Sequence, residues 1–185
     1  IPPHEAVPPA YVHFFTEYLR QAGYYCMNKG KKDYQMEAPI TAWDDLSGHW
    51  NRAPVDKPFF LYYNGFMVTH ESSIWKNANH PEIIKPEEVR IPPIYPDRPL
   101  IRQDIARNYS NIAEMDAMIG EYLDELQEKG LLDKTIVVFL SDNGGPLPRG
   151  KREIYDTGLK VPMIIRFPNK QHAGTVNDDL ISFVD

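Results

Sequence analysis

Asp142 and Asn143 stand side by side after the wholly apolar run 136–140, one serine beyond it, and are followed by Gly144 and Gly145. A carboxylate and a carboxamide are oxygen donors of the kind that Ca²⁺ and Mg²⁺ prefer, and open α/β sheets keep their sites beyond the carboxyl ends of their strands. The pair therefore reads as part of a metal-assisted site. The same residues also spell a turn, because Asn-Gly sequences supply the conformations a chain reversal needs. On this segment alone both readings stand.

Three further groups could work on an anion. Lys151 follows the Asp142 segment closely and precedes Tyr155, Gly158 and the Val161-Pro162 pair, Lys31 closes a Gly30-Lys31 step, and His70 ends the segment 59–70. A lysine ammonium is a compact charge with three donors and suits a tetrahedral anion without demanding a forked geometry. Each residue has a plainer reading as well, as a solvated loop lysine or a surface imidazole. His4, His13, His49, His80 and His172 carry only that plainer reading.

Taken in order, the segments 23–31, 59–70, 136–145 and 151–167 resemble the sulfatase family of the alkaline-phosphatase superfamily, and within it the arylsulfatase and N-sulfoglucosamine sulfohydrolase-like members. The resemblance runs from about Pro9 to the end of the chain. It implies a mostly parallel α/β sheet flanked by helices, and hydrolysis of sulfate esters or N-sulfates, on a carbohydrate. By the same resemblance Lys31 and Lys151 grip the sulfate and His70 stands near the leaving oxygen. Asp142 and Asn143 become metal ligands, with Ca²⁺ or another divalent cation between them, and the compartment is extracytoplasmic: periplasmic, secreted or lysosomal. All five residues are then expected around one cleft at the carboxyl edge of the sheet.

The sequence also departs from that family. Sulfatases draw a formylglycine from a Cys/Ser-x-Pro/Ala-Ser-Arg motif, which is absent here, and Cys26 is followed by Met27, Asn28 and Lys29. The early aspartate pair that completes the metal site is also missing. Where the family often has Trp-His after Gly-Lys, this chain has Lys32-Asp33. Residues 1–185 thus read as the central part of one sulfatase catalytic domain, with the nucleophile region and the C-terminal part outside it and no activity expected of the piece alone. Two alternatives are a phosphodiesterase or phosphonate hydrolase of the same superfamily and a non-catalytic module that binds sulfated glycans.

The elements that must position these residues follow from periodicity. Residues 10–22 predict a helix closed by Gly23, followed by a strand at 24–28. The run 59–63 predicts a buried parallel strand, and residues 102–129 a long helix with Ile105, Tyr109, Ile112, Ile119, Leu123 and Leu126 on one stripe and Gly130 after it. Asp116 falls on that stripe as a structural hydrogen-bonding group. A buried strand at 135–140 and a further apolar run at 163–167 complete an α/β pattern around a mostly parallel sheet. Between them lie two irregular stretches, 34–58 and the proline-rich 81–99, and loops on a rigid scaffold are where substrate choice is built. Trp43, Trp50 and Tyr95 offer flat faces for a sugar ring, and Arg90 and Arg98 offer charge for further sulfates or carboxylates.

Composition narrows the partners. Among 185 residues, 26 acidic side chains outnumber 20 basic ones and the signs are interspersed, which excludes the basic stripe of a nucleic-acid binder. No apolar run approaches the length of a membrane span. One cysteine rules out an internal disulfide. The expected partner is a sulfated small molecule or glycan.

Overall fold

In the computed structural model the described residues are 6–32, 34, 36–64, 67–70, 73–76 and 82–183. Asp33, His4 and His80 lie outside them. The chain forms two compact units, Ile1–Met67 and Val68–Asp185.

The first unit is a helix laid against a parallel pair of strands. Helix α1 spans Phe15–Gln21, five residues later than periodicity suggests, because the preceding residues are spent on a turn in which Val12 N–H bonds Pro9 O at 2.9 Å. Its start is fixed by Glu17, whose carboxylate accepts the Phe14 N–H at 2.8 Å and so satisfies a donor that a helix start leaves open. Strand β1, Tyr25–Lys29, pairs in parallel with β2, Phe59–Tyr63, in a register from Tyr25↔Phe59 to Lys29↔Tyr63. Cys26, Met27 and Ala42 are fully buried. Phe15 packs edge-on to Phe60 at 5.2 Å, and Trp43 lies parallel to Phe60, Tyr62 and Tyr34 at 6.3–6.4 Å. This aromatic stack holds much of the 34–58 excursion to the sheet.

The second unit is organised by a long helix. After the short α2, Ser73–Lys76, helix α3 runs from Pro99 to Glu128. It starts earlier than predicted because Pro99 takes the first helical position, where a missing N–H costs nothing. Gly130, at φ +64, ends it: its N–H reaches Gln127 O at 3.0 Å and that of Leu131 reaches Leu126 O at 2.9 Å, the paired bonds of a Schellman cap. Ile105 and Leu126 are buried on the predicted stripe, while Tyr109 and Ile112 are 45% and 41% exposed, so the buried face is narrower than the apolar one. Asp116 is exposed, not buried on the stripe. Val89, Ile105 and Ala106 form the core, with Ile84, Ile91, Tyr95, Ile101 and Leu147 against it.

Strand β3, Val137–Leu140, departs from expectation twice. It pairs with β4, Met163–Arg166, in antiparallel register from Val137↔Arg166 to Leu140↔Met163, so the mostly parallel sheet holds for β1–β2 and not here. The connection 141–162 contains only a four-residue helix, α4, Asp156–Leu159; without a long crossover the chain simply returns beside the strand it left. Nor is the pair buried: Val138, Leu140, Met163, Ile164 and Ile165 are all exposed.

Candidate functional site

Lys31 lies just past the carboxyl end of β1, and its backbone is held from two sides. Asn28 Nδ2, from the buried end of β1, reaches the Lys31 carbonyl at 3.4 Å and also Tyr34 Oη at 2.5 Å; Asn64 Nδ2, following β2, donates to the same carbonyl at 3.0 Å. Gly30 makes this possible at φ +111, where a Cβ would sit 2.1 Å from Asn64 Oδ1. The Lys31 side chain is exposed. Asn28 and Asn64 escaped the sequence reading; a polar residue in an apolar strand and an asparagine at the following strand end were the available signals.

The second unit carries His70, Asp142, Asn143 and Lys151. His70 is half-buried after the turn Met67–Thr69, and its carbonyl accepts the Ser73 N–H that opens α2, at 2.8 Å.

Asp142, Asn143 and Lys151 belong to one tightly wound loop at the carboxyl end of β3. Ser141 Oγ donates to Asn143 O at 2.7 Å, Gly144 N–H to Gly158 O at 3.0 Å, and Lys151 N–H to Gly145 O at 2.9 Å. Three glycines make the winding possible. A Cβ on Gly144 would lie 1.9 Å from Thr157 O, one on Gly150 2.3 Å from Gly145 O, and one on Gly158 2.0 Å from Glu153 O. Such distances exclude any side chain unless the backbone moves. The loop thus joins the carboxylate–carboxamide pair and the lysine into one local element, with Asp142 exposed and Asn143 and Lys151 half-buried.

As a cation site the donors are of the right type but too few. Ca²⁺ takes about six to eight oxygens; Asp142 and Asn143 provide three side-chain oxygens at most, and no group of three His, Cys, Asp or Glu that could hold a metal occurs among the described residues. No chemical step is therefore assigned to a metal on these residues alone. Cys26 is equally unsuited to nucleophilic work: its thiol is pushed up to about 11, first by burial and then by the nearby Asp44 carboxylate, with Arg20 opposing.

The proposed sugar-contacting residues are placed differently from one another. Trp50 opens a short 3₁₀ turn, Trp50–Arg52, its ring tilted against Phe59 at 6.5 Å. Tyr95 is half-buried and its hydroxyl donates to Pro148 O, so it joins the proline-rich segment to the 141–158 loop. Burial pushes its phenol up, offset by the positive charge of Arg149. Arg98 is the exposed N-cap residue of α3 and makes no side-chain cap. Of the surface histidines, His49 accepts the Asn51 N–H at 3.3 Å and His13 lies 3.5 Å from Glu17.

The sequence profile of the sulfatase family matches residues 10–185. The chain belongs to the sulfatase family. It is 44% identical over 222 aligned positions to an ulvan-active sulfatase of Formosa agariphila, covering 100% of this chain and 37% of that protein. It is 34% identical over 106 positions to the human N-sulphoglucosamine sulphohydrolase, covering 57% of this chain and 21% of that one. An N-acetylgalactosamine-6-sulfatase of Canis lupus familiaris is 30% identical over 143 positions, 70% of this chain and 23% of its own length. The chain thus spans little more than a third of the relative it matches over its whole length. Family membership accounts for an α/β arrangement.

Proposed function

We propose that this chain is the central portion of a longer, metal-dependent sulfatase that hydrolyses sulfate esters or N-sulfates of a carbohydrate in an extracytoplasmic compartment. The observation that carries the reading is the glycine-wound 141–158 loop, which ties Asp142 and Asn143 to Lys151 within a family-matched chain. In this reading Lys31 and Lys151 hold the sulfuryl oxygens and His70 serves the departing oxygen. Asp142 and Asn143 supply part of a divalent cation's shell, completed by ligands from the rest of the protein. When bound, the cation would neutralise charge on the sulfuryl group. The nucleophile, a formylglycine, also comes from outside residues 1–185. A saccharide substrate is supported by relatives whose names specify N-sulphoglucosamine and N-acetylgalactosamine-6-sulfate chemistry.

The test is sulfate release by the full-length protein from a sulfated disaccharide and from a small aryl sulfate, beside an aryl phosphodiester. Sulfate substrates should be preferred, chelation of divalent cations should suppress turnover, and Lys151→Ala should cost roughly 10²- to 10³-fold, the usual loss on removing one group that stabilises transition-state charge. The 185-residue chain alone should release no sulfate, for want of a covalent nucleophile. Preference for the phosphodiester would overturn the assignment.

A further inference from the structure

On the surface of the 141–158 loop and within the same unit is an open depression bordered by the exposed residues Ile94, Arg149, Ile154, Tyr155, Asp156 and Thr157. The Arg149 guanidinium lies over the Tyr155 ring, 5.4 Å from its centroid, and forms no ion pair among the described residues. The carboxylate bordering the depression, Asp156, is met instead by Lys160 at 3.0 Å.

The backbone makes this arginine unusual. Arg149 sits at φ +64, a conformation that crowds a Cβ and suits glycine. It is fixed there from both sides, by Thr157 Oγ1 donating to the Arg149 carbonyl and by Tyr95 Oη donating to the Pro148 carbonyl. A strained residue that its surroundings hold in place is a reason to look for work done by its side chain. Here that side chain is an exposed cation that forms no ion pair among the described residues, in a chain whose acidic residues outnumber its basic ones 26 to 20.

We propose that Arg149 is a specificity residue whose guanidinium binds an anionic substituent, a carboxylate or a second sulfate, on the sugar next to the one that loses its sulfate. The proposal rests on the reading of the chain as part of a glycan sulfatase. The cation–π contact with Tyr155 uses none of the guanidinium's N–H donors as a hydrogen bond to an acid, and these suit a forked pair of bonds to a planar carboxylate or a sulfate. Ile94 and Ile154 add apolar surface for the C–H face of a ring. Arg149 precedes Lys151 by two residues, a reach of at most about 7 Å of chain, so the two cations can meet neighbouring groups of one ligand.

Arg149→Gly in the full-length enzyme is the informative variant, because glycine accepts the positive φ and the loop keeps its path. Four substrates separate the possibilities: a monosulfated disaccharide bearing a uronic acid, a disulfated disaccharide, a neutral monosulfated disaccharide and a small aryl sulfate. For whichever anionic disaccharide supplies the partner, kcat/KM should fall roughly 10- to 100-fold, mostly through KM, the scale of a charge-assisted forked contact. The neutral disaccharide and the aryl sulfate should change less than about threefold on the same scale. The arm that responds identifies carboxylate or sulfate, and Arg149→Lys should recover only part of the loss. Equal losses on all four substrates, or no loss on any, would overturn the proposal. Calorimetric titration with the desulfated uronate disaccharide and with the disulfated disaccharide gives a readout independent of turnover: weaker binding of either to Arg149→Gly supports the anion site, and unchanged binding of both overturns it. A wild-type protein that releases no sulfate yet binds one of them through Arg149 would refute the sulfatase reading and leave the anion site standing.

Discussion

Asn64 donates from its side-chain Nδ2 to the carbonyl of Lys31 at 3.0 Å, bridging the residue after β2 to the second residue after β1. The bond fixes the main chain of a lysine that we propose holds sulfate, and it is available only because Gly30 leaves room for the Asn64 carboxamide. Gly30→Ala should therefore destabilise the first unit by about 1–3 kcal/mol, through both positive-φ strain and overlap. Asn64→Ala should cost less stability but lower sulfate turnover in the full-length enzyme. Urea unfolding beside kinetics checks the pair, and full activity in both variants would show that the position of the Lys31 backbone is unimportant.

The same argument applies with more force to the second unit. Gly144→Ala and Gly158→Ala place a methyl group about 2 Å from carbonyl oxygens of the loop itself, which only a backbone shift can relieve. Each should lower Tm by several degrees, since about 1 kcal/mol corresponds to roughly 2–8 °C for domains of this size range. Each should also weaken whatever Asp142 and Lys151 do together. Gly145→Ala is the control, because its added Cβ meets nothing within 4 Å.

These relationships mark how far the sequence could be read. Continuous apolar runs located β2 to the residue, and heptad-like spacing located α3 to within three residues at its start, because both signals are local. Pairing direction was not local. β3 and β4 read as parallel strands from their composition, and the absence of a long helix in 141–162 was the missed indication of a reversal. Burial failed for β3, since exposure depends on what packs over a strand and not on how apolar it is. At the candidate site the spacing of Asp142, Asn143 and Lys151 suggested one element, whereas the supports of Lys31 and the strained Arg149 are tertiary facts with no periodic signature.

Cys26 should behave as an inert thiol. It is wholly buried, and its raised pKa, about 11, leaves almost no thiolate at neutral pH. A disulfide reagent at pH 8 should label it only as fast as the protein unfolds, and Cys26→Ala should leave sulfate release intact. Rapid stoichiometric labelling of folded protein would contradict the burial.

Asp45 predicts an acid limit for the first unit. Its carboxylate accepts the Ser47 hydroxyl and N–H, both at 2.6 Å, and pairs with Arg52. These bonds, led by the Ser47 hydroxyl, bring it to about 2 against the opposing effect of burial. Because the folded value lies below the ordinary carboxylate range, the stabilisation is complete above about pH 4 and is lost as pH falls toward 2. Asp45→Asn should flatten the dependence of the urea midpoint between pH 6 and pH 3, and Ser47→Ala should move the loss to higher pH. Identical profiles in all three proteins would mean that another group sets the limit.

Arg102 is the pin of the proline-rich segment. Its Nε and Nη2 reach the two oxygens of Asp97 at 2.6 Å each, and its Nη1 reaches the carbonyls of Pro86, Glu87 and Val89 at 3.2–3.3 Å. Five contacts from one guanidinium fasten residues 86–97 to the first turn of α3, where prolines deny the segment a sheet or helix of its own. The side-chain bonds to Arg102 hold the Asp97 carboxyl below its usual range, so the pin persists as pH falls past that range and opens only on further acidification. Lysine carries the charge but not the fork. Arg102→Lys should therefore expose residues 82–98 to limited proteolysis at neutral pH while leaving the far-ultraviolet signal of α3 unchanged, and it should loosen Tyr95 from the Pro148 carbonyl. Cleavage rates equal to wild type would show that packing of Val89 against Ile105 and Ala106, and not the guanidinium, keeps the segment in place.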